Sequence, residues 1–180
     1  MKNNSPVKLF LMLEKTKAVI WTNKTMDENT NVMWIDSTWY KLFNKILKYE
    51  SSFHNTWLTE QSAIDNLFNS TFYNKVSRLT LFNVYYSYYL KSRTILLSNT
   101  LNNIDSVDRL FKNANWLERE SSEMYGVEFF NKSDSRKLLL DYSKIESPML
   151  KDFSSEGVKD VFYDILDNQV TILNGDTVEL

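Results

Sequence analysis

The chain has 180 residues, 43% hydrophobic and 14% aromatic, enough for one domain with a sizeable core, and its 24% charged fraction excludes global disorder. A net charge of −2 with no basic stripe argues against nucleic acid as a partner. The absence of Cys and the single His, His54, exclude zinc fingers, thiolate-held iron–sulfur clusters, disulfides and Cys–His nucleophiles.

The start, MKNNSPVKLFLML, makes a poor signal peptide and a poor transit peptide, so the chain is expected to be used where it is made. Val7 to Trp21 reads as helix. A polar gap follows, then a short apolar run from Val32 to Ile35. Ser37 is placed to cap a helix in which Trp39, Leu42, Phe43, Ile46 and Leu47 recur at helical spacing. Phe53 to Ile64 holds a strand, and Asn66 to Tyr73 is loop or irregular helix. From Phe82 to Leu90 the even positions Phe82, Val84, Tyr86, Tyr88 and Leu90 alternate with a more polar odd set, the period of a half-buried strand. Thr94 to Leu97 pairs with it across Lys91-Ser92-Arg93. The longest apolar run, Leu79 to Leu90, carries Asn83, Ser87 and four tyrosines and falls short of the about 20 residues that cross a bilayer.

Ser106 to Lys112 reads as a short helix, Asn113-Ala114-Asn115 interrupts it, and a second helix starts at Trp116. Val127 to Phe130 and Ser135 to Leu140 read as strands, Asp141 to Ser155 as an extended loop. Val158 to Leu166 and Gln169 to Leu173 form a terminal hairpin around Asp167-Asn168. Gly and Pro are scarce, whereas Asn, Lys, Phe and Tyr, which AT-rich codons specify, are plentiful. That bias points to an AT-rich genome such as that of an organelle.

The densest group of ionised and aromatic residues lies on the helix from Trp116 to Tyr125. Asn115 is its expected N-cap, Glu118 stands at the capping-box position, and Gly126 supplies a left-handed C-cap. On a wheel of about 100° per residue, Trp116, Leu117 and Met124 share a face with Glu120 in its middle, while Glu118 points away. Arg119 and Glu123 are spaced to pair. A carboxylate in an apolar stripe needs a partner, so Glu120 is expected to meet Arg136, Lys137 or Lys151. Three readings stay open: acid–base or metal chemistry by Glu120 and Glu123, an internal ion-pair network, and a network that also faces another protein. The loop with Asp141, Tyr142, Pro148, Lys151, Asp152 and Phe153 mixes aromatics with paired charges and favours the third.

The residues Asn115-Trp116, Glu118-Arg119-Glu120, Met124-Tyr125-Gly126-Val127, Phe129, Asn131, Asp134, Arg136-Lys137, Leu139, Asp141-Tyr142, Pro148, Lys151-Asp152-Phe153, Gly157 and Tyr163-Asp164 match a known pattern in order and spacing. This block resembles NADH dehydrogenase subunit nine, the thirty-kilodalton subunit family of respiratory complex I, with looser agreement upstream at Leu58 to Asp65 and Phe82 to Tyr86. The chain departs from the family at Lys132-Ser133, where His-Pro is usual, and at Ser143, Glu146, Ser147, Leu150 and Ser154.

The resemblance implies an α+β domain: a small mixed or antiparallel sheet with packed helices and an extended C-terminal docking segment. It assigns residues 31–173 to that domain, 1–30 to an extension of unassigned role and 174–180 to a loose tail. It further implies a mitochondrially encoded core subunit on the matrix side of the inner membrane. Such a subunit is non-catalytic in itself, scaffolding the quinone-side subunit of the proton-translocating NADH:ubiquinone reductase. NAD, FMN, iron–sulfur clusters and ubiquinone are then held elsewhere in the complex. Trp116, Glu118, Arg119, Glu120, Glu123, Arg136, Lys137, Asp141, Tyr142, Pro148, Lys151, Asp152 and Phe153 become structural or interface residues. The competing readings are a stand-alone metal-dependent enzyme using Glu120 and Glu123, and an interaction module unrelated to respiration.

Overall fold

The computed structural model describes residues 19–24, 29–51, 53–67, 77–100, 103–142, 147–154, 157 and 159–174. The expected N-terminal helix lies mostly outside these residues. Its end is a strand, β1 (Val19–Lys24), which pairs antiparallel with β2 (Thr30–Asp36). The sequence Val-Ile-Trp-Thr suits a pleated edge better than a helix. The stretch read as an N-terminal extension therefore contributes a strand to the domain.

β2 runs parallel to β5 (Ser92–Thr100). β5 is antiparallel to β4 (Leu79–Ser87), which is antiparallel to β3 (Trp57–Asp65), giving the order β1-β2-β5-β4-β3. The fold is α+β with a mixed sheet. One face of the sheet carries Met33, Leu96, Asn83 and Gln61 in register across β2, β5, β4 and β3, and the two helices lie on it.

Helix α1 (Tyr40–Tyr49) follows a 3-10 turn at Ser37–Trp39. Ser37 is no cap: its hydroxyl donates to Asp36 at 3.3 Å. Tyr40, Phe43 and Leu47 enter the core at helical spacing, whereas Trp39 and Leu42 remain exposed.

In β4 the expected alternation is present but its sides are reversed. The odd positions Leu81, Asn83, Tyr85 and Ser87 are buried, and Phe82, Val84 and Tyr86 line the half-buried outer face. Helix α1 makes this possible by supplying polar partners. Asn83 Nδ2 donates to the Tyr40 hydroxyl at 2.8 Å, and the Tyr85 hydroxyl donates to Asn44 Oδ1. Burial, with the nearby Glu118 charge, pushes the Tyr40 hydroxyl far above its ordinary pKa.

Helix α2 (Ala114–Tyr125) packs on β3, where Asn113 Nδ2 donates to Leu58 O at 3.2 Å and the Ser121 hydroxyl to Gln61 O at 3.5 Å. The short helix expected from Ser106 to Lys112 is a single turn closed on Val107 O. β6 (Asn103–Asp105) and β7 (Glu128–Phe130) form a parallel ribbon, and β8 (Lys159–Asp164) with β9 (Gln169–Asn174) forms the expected hairpin as a separate sheet. Residues 135–140 are not a strand; side chains rather than a sheet ladder hold their backbone.

Candidate functional site

Helix α2 begins at Ala114, one residue before the expected cap, and Asn113 at its N-cap makes no side-chain cap bond. Its end is as expected: Gly126 adopts φ 72, and a Cβ there would stand 3.0 Å from the Ser147 hydroxyl.

The inward face of α2 is formed by Ala114, Glu118 and Ser121, with Leu117 packed against the core. Trp116, expected on that face, is 63% exposed, and Glu120 projects to solvent without a hydrogen bond or ion pair. The expected basic partner for Glu120 is therefore absent among the described residues. The wheel reading failed because α2 lies on β3 through small and polar residues, so its bulky apolar side chains do not mark the buried side. The rule about buried carboxylates still applies, two positions earlier. Glu118 is fully buried, accepting from the Val107 amide at 2.7 Å, the Ser106 hydroxyl at 2.6 Å and Lys132 Nζ at 2.9 Å. Burial raises its pKa, and these three donors oppose that rise. Lys132, where the resembling family has histidine, is thus the cation that matches Glu118.

Arg119 and Glu123 do not pair with each other. Both grip the backbone of residues 136–140. Arg119 donates to the carbonyls of Arg136 at 2.6 Å and Lys137 at 2.9 Å, and lies 3.7 Å from the Asp134 carboxylate. Glu123 accepts from the amides of Leu138, Leu139 at 2.8 Å and Leu140 at 2.9 Å. Burial alone would raise the Glu123 pKa, yet the three amides hold it below the usual carboxylate range. A segment with no strand neighbour must satisfy its amides and carbonyls elsewhere, and one turn of α2 does so here. The clamp holds a segment whose Arg136 and Leu139 are exposed, as are Tyr142 just after it and Trp116 on α2. Arg136 is bonded to Asp134, which it holds far below its ordinary pKa. Lys137 Nζ donates to Asp141 O at 2.7 Å.

The second half of the expected docking loop folds back onto its own domain. Asp65, at the end of β3, accepts from Arg78 at 2.8 and 3.0 Å, from the Leu67 amide at 3.0 Å and from the Lys151 amide at 2.9 Å. Arg78 also donates to Asp152 at 2.5 and 3.0 Å. The bonds from Arg78 hold the Asp65 carboxyl below its ordinary range. The Met149 amide donates to Met124 O at 3.0 Å, and Leu150 packs on the core. Pro148 and Phe153 are half-buried, and the Lys151 side chain is exposed. Sequence reasoning missed Lys132, Asp65 and Arg78. Their pairings span 13 or 14 residues and leave no local periodic trace.

A cavity of about 460 Å³ opens between α2, residues 128–137 and Ser147, lined by Arg119, Glu123, Phe129, Lys132, Arg136 and Ser147 among others. Glu123 has both oxygens engaged and Glu120 faces away, so the two form no working carboxylate pair. Among the described residues no three His, Cys, Asp or Glu side chains converge, and no helix is long and apolar enough to cross a membrane.

Residues 33–159 match the family described as respiratory-chain NADH dehydrogenase, 30 Kd subunit. The chain is 30% identical to NADH-ubiquinone oxidoreductase subunit 9 of Paramecium primaurelia, over 97% of this chain and 87% of that one. Among solved structures, its fold is similar to the trypsin-resistant fragment (1–134) of Nqo5, with a TM-score of 0.58 and 16% identity over 71% of this chain and 98% of the fragment. It is also similar to a chain of the membrane-bound sulfane sulfur reductase, an archaeal respiratory membrane complex, with a TM-score of 0.64 and 18% identity over 83% of this chain and 85% of that one.

Proposed function

Because the chain belongs to the respiratory-chain NADH dehydrogenase 30 kDa subunit family, we propose that it is a subunit of the peripheral arm of NADH:ubiquinone oxidoreductase, contributing structure rather than chemistry. Its partners are other subunits of that complex, chiefly the one on the quinone side. Its place is the matrix face of the mitochondrial inner membrane, and NAD, FMN, iron–sulfur clusters and ubiquinone are held by its neighbours.

The observation that carries this reading is the fate of the α2 charges. Glu118, Arg119 and Glu123 are all bound within the chain, to Lys132, the Ser106 hydroxyl, the Val107 amide and backbone groups of 136–140. What they leave exposed are Trp116, Arg136, Leu139 and Tyr142, residue types suited to protein contact.

Native electrophoresis of detergent-solubilised membranes, with mass spectrometry of the band, tests the subunit assignment. The chain is expected in a very large NADH-oxidising assembly; migration near its own mass overturns the assignment. The scaffolding role is tested by Glu118→Gln, which should lower the amount of assembled complex and leave turnover per complex unchanged. Normal assembly with impaired turnover would contradict that role.

A further inference from the structure

Along β4 and β5 the sheet is more apolar on the face opposite its helices than on the face they cover. The covered side of β5 carries Thr94, Leu96, Ser98 and Thr100, and that of β4 carries Leu81, Asn83, Tyr85 and Ser87, all buried. The outer side carries Ile95 and Leu97 on β5 and Phe82, Val84 and Tyr86 on β4, all half-buried. Ile95 stands beside Val84 and Leu97 beside Phe82, with Val32 of β2 next to Ile95. An antiparallel sheet that keeps one face in water puts polar residues there, and a parallel pair such as β2 and β5 is ordinarily covered on both faces. This sheet has the polarity of one covered on both sides.

The outer band has the dimensions of one helix. Between Val32 on β2 and Trp57 on β3 it is about 15 Å wide, against about 10 Å for a helix, and from Arg93 to Asn99 it runs about 20 Å, the length of about 13 helical residues. Its ends differ in charge. Exposed Arg93, with Lys91 just before it, lies opposite Tyr86 at one end, and exposed Asp36 lies beside Asn99 at the other. A helix laid along β4 and β5 with its N-terminus at Asp36 and its C-terminus at Arg93 has its dipole matched at both ends. Exposed Glu60, opposite Val84, borders the band on β3. At the Arg93 end, Trp57 stands opposite Tyr86, and the Tyr88 ring lies 6.1 Å from Trp57 and 5.3 Å from Tyr86. Trp, Tyr and Arg are the side chains that most often anchor an interface. Residues 1–18 reach the sheet at Val19 in β1, beside Ile35 of β2. A helix of those residues laid along the strands would lie three strands, about 14 Å, from β4.

We propose that the outer face of β4 and β5 seats an amphipathic helix from a different subunit of the same complex. That helix has about 13 residues and lays an apolar stripe on Phe82, Val84, Ile95 and Leu97. Its N-terminus meets Asp36, its C-terminus meets Arg93, and a basic residue on its flank faces Glu60. The source of the helix rests on the subunit assignment above; the apolar outer face does not.

The test places a photo-crosslinking residue at Ile95, Asp36 or Arg93 of the full-length chain, one at a time, and maps the captured peptide in the assembled complex by mass spectrometry. All three are expected to capture one segment of a different subunit, apolar at every third or fourth position. The residue caught from Asp36 should lie N-terminal to the one caught from Arg93, by about 13 positions. The reverse order, or capture of a second copy, of residues 1–18 or of nothing in a normally assembled complex, overturns the proposal. Native-gel incorporation gives an independent reading. Phe82→Gln/Leu97→Gln, first checked as isolated chain for unchanged circular dichroism, is expected to incorporate about tenfold less than wild type. Lys45→Gln, exposed on α1 across the sheet, should incorporate like wild type. Equal incorporation of all three chains overturns the proposal and leaves the subunit assignment standing, and equal loss in both variants overturns the choice of face. Wild type migrating alone overturns the subunit assignment and with it the named source of the helix.

Discussion

Helix α2 and the β8–β9 hairpin both lie in the C-terminal half of the chain and solve opposite problems. Around α2 the buried charges of Glu118, Arg119 and Glu123 all find partners inside the chain. On the hairpin the polar groups are solvated, and it is the apolar surface, Val161, Tyr163, Val170, Ile172 and the Ile165–Leu166 tip, that finds none. A charge removed from water must be matched during folding, because an unmatched one costs several kcal/mol, on the order of the whole stability of a domain. Exposed apolar side chains carry no such immediate penalty and can wait for another molecule. The most charged part of this chain is therefore its internal scaffold, and its most apolar exposed part is the outward one.

The sharpest way to break that contrast is to remove one member of the Glu118–Lys132 pair. Lys132→Ala leaves a fully buried carboxylate without its cation, which should cost about 3–5 kcal/mol, read as a lower urea midpoint of the isolated chain. The pH profile carries the sign. The folded pKa of Glu118 lies above its unfolded value, so the folded state binds the proton more tightly, and this group's contribution to stability falls as pH rises from about 4.3 upward. Glu118→Gln should remove that fall, and the gap between variant and wild type should shift in the variant's favour as pH rises. A constant gap across pH 4 to 8 would show that Glu118 does not titrate abnormally.

Glu123→Ala comes next. It leaves the amides of Leu138, Leu139 and Leu140 without their acceptor, for a loss of about 2–3 kcal/mol. Hydrogen exchange should speed up at these three amides first, since no strand neighbour protects them. Unchanged exchange there, with a general loss elsewhere, would mean that the clamp is not what holds the segment.

The loop at 147–154 gives a third test, through acid. Arg78 depresses the pKa of Asp65, so this carboxylate contributes stability that is complete above the unfolded value of about 3.9 and is lost as pH falls through the lower folded value. Asp65→Asn should weaken the chain at neutral pH and flatten the acid limb of its profile. It should also free the Lys151 amide for exchange. An acid limb unchanged from wild type would assign acid sensitivity to other groups.

The extent to which all this was legible in the sequence follows from how far each determinant reaches. Gly126 marks the end of α2 because a left-handed cap is a local requirement, and the alternation in β4 is local too. The side on which β4 is buried is not local. Asn83 and Tyr85 look like solvent-facing positions until Tyr40 and Asn44, some forty residues earlier, supply their partners. The same holds for Glu118. A helical wheel ranks its faces by apolarity, and α2 is buried through Ala114, Ser121 and a paired carboxylate, which apolarity ranks last. The wheel expects a basic partner for Glu120 and has Glu118 pointing away, whereas the structure gives the partner to Glu118 and leaves Glu120 exposed. Lys132 was visible as a departure from the family pattern, but what it faces depends on the turn after β7.

Smaller effects sharpen the contrast from the local side. Gly126→Ala forces a Cβ onto a left-handed residue and toward the Ser147 hydroxyl at 3.0 Å, for about 1–2 kcal/mol, seen as a modest drop in thermal midpoint. If Gly126→Ala costs as much as Lys132→Ala, the C-cap rather than the buried pair is the keystone of α2.

Glu120→Ala is the smallest expected change and the most discriminating. Glu120 projects from the opposite side of the same helix, two residues from Glu118 and exposed, so its removal should leave the stability of the isolated chain within about 0.5 kcal/mol. Since it contributes nothing to the fold, a loss of assembled complex in Glu120→Ala cannot be charged to unfolding and reports a contact with a neighbouring subunit through the Trp116 side of α2. Unchanged assembly would assign that side of α2 to solvent and leave the surface of Arg136, Leu139 and Tyr142, together with the hairpin, as the regions to probe. The two glutamates thus separate folding from docking on a single helix, each serving as the control for the other.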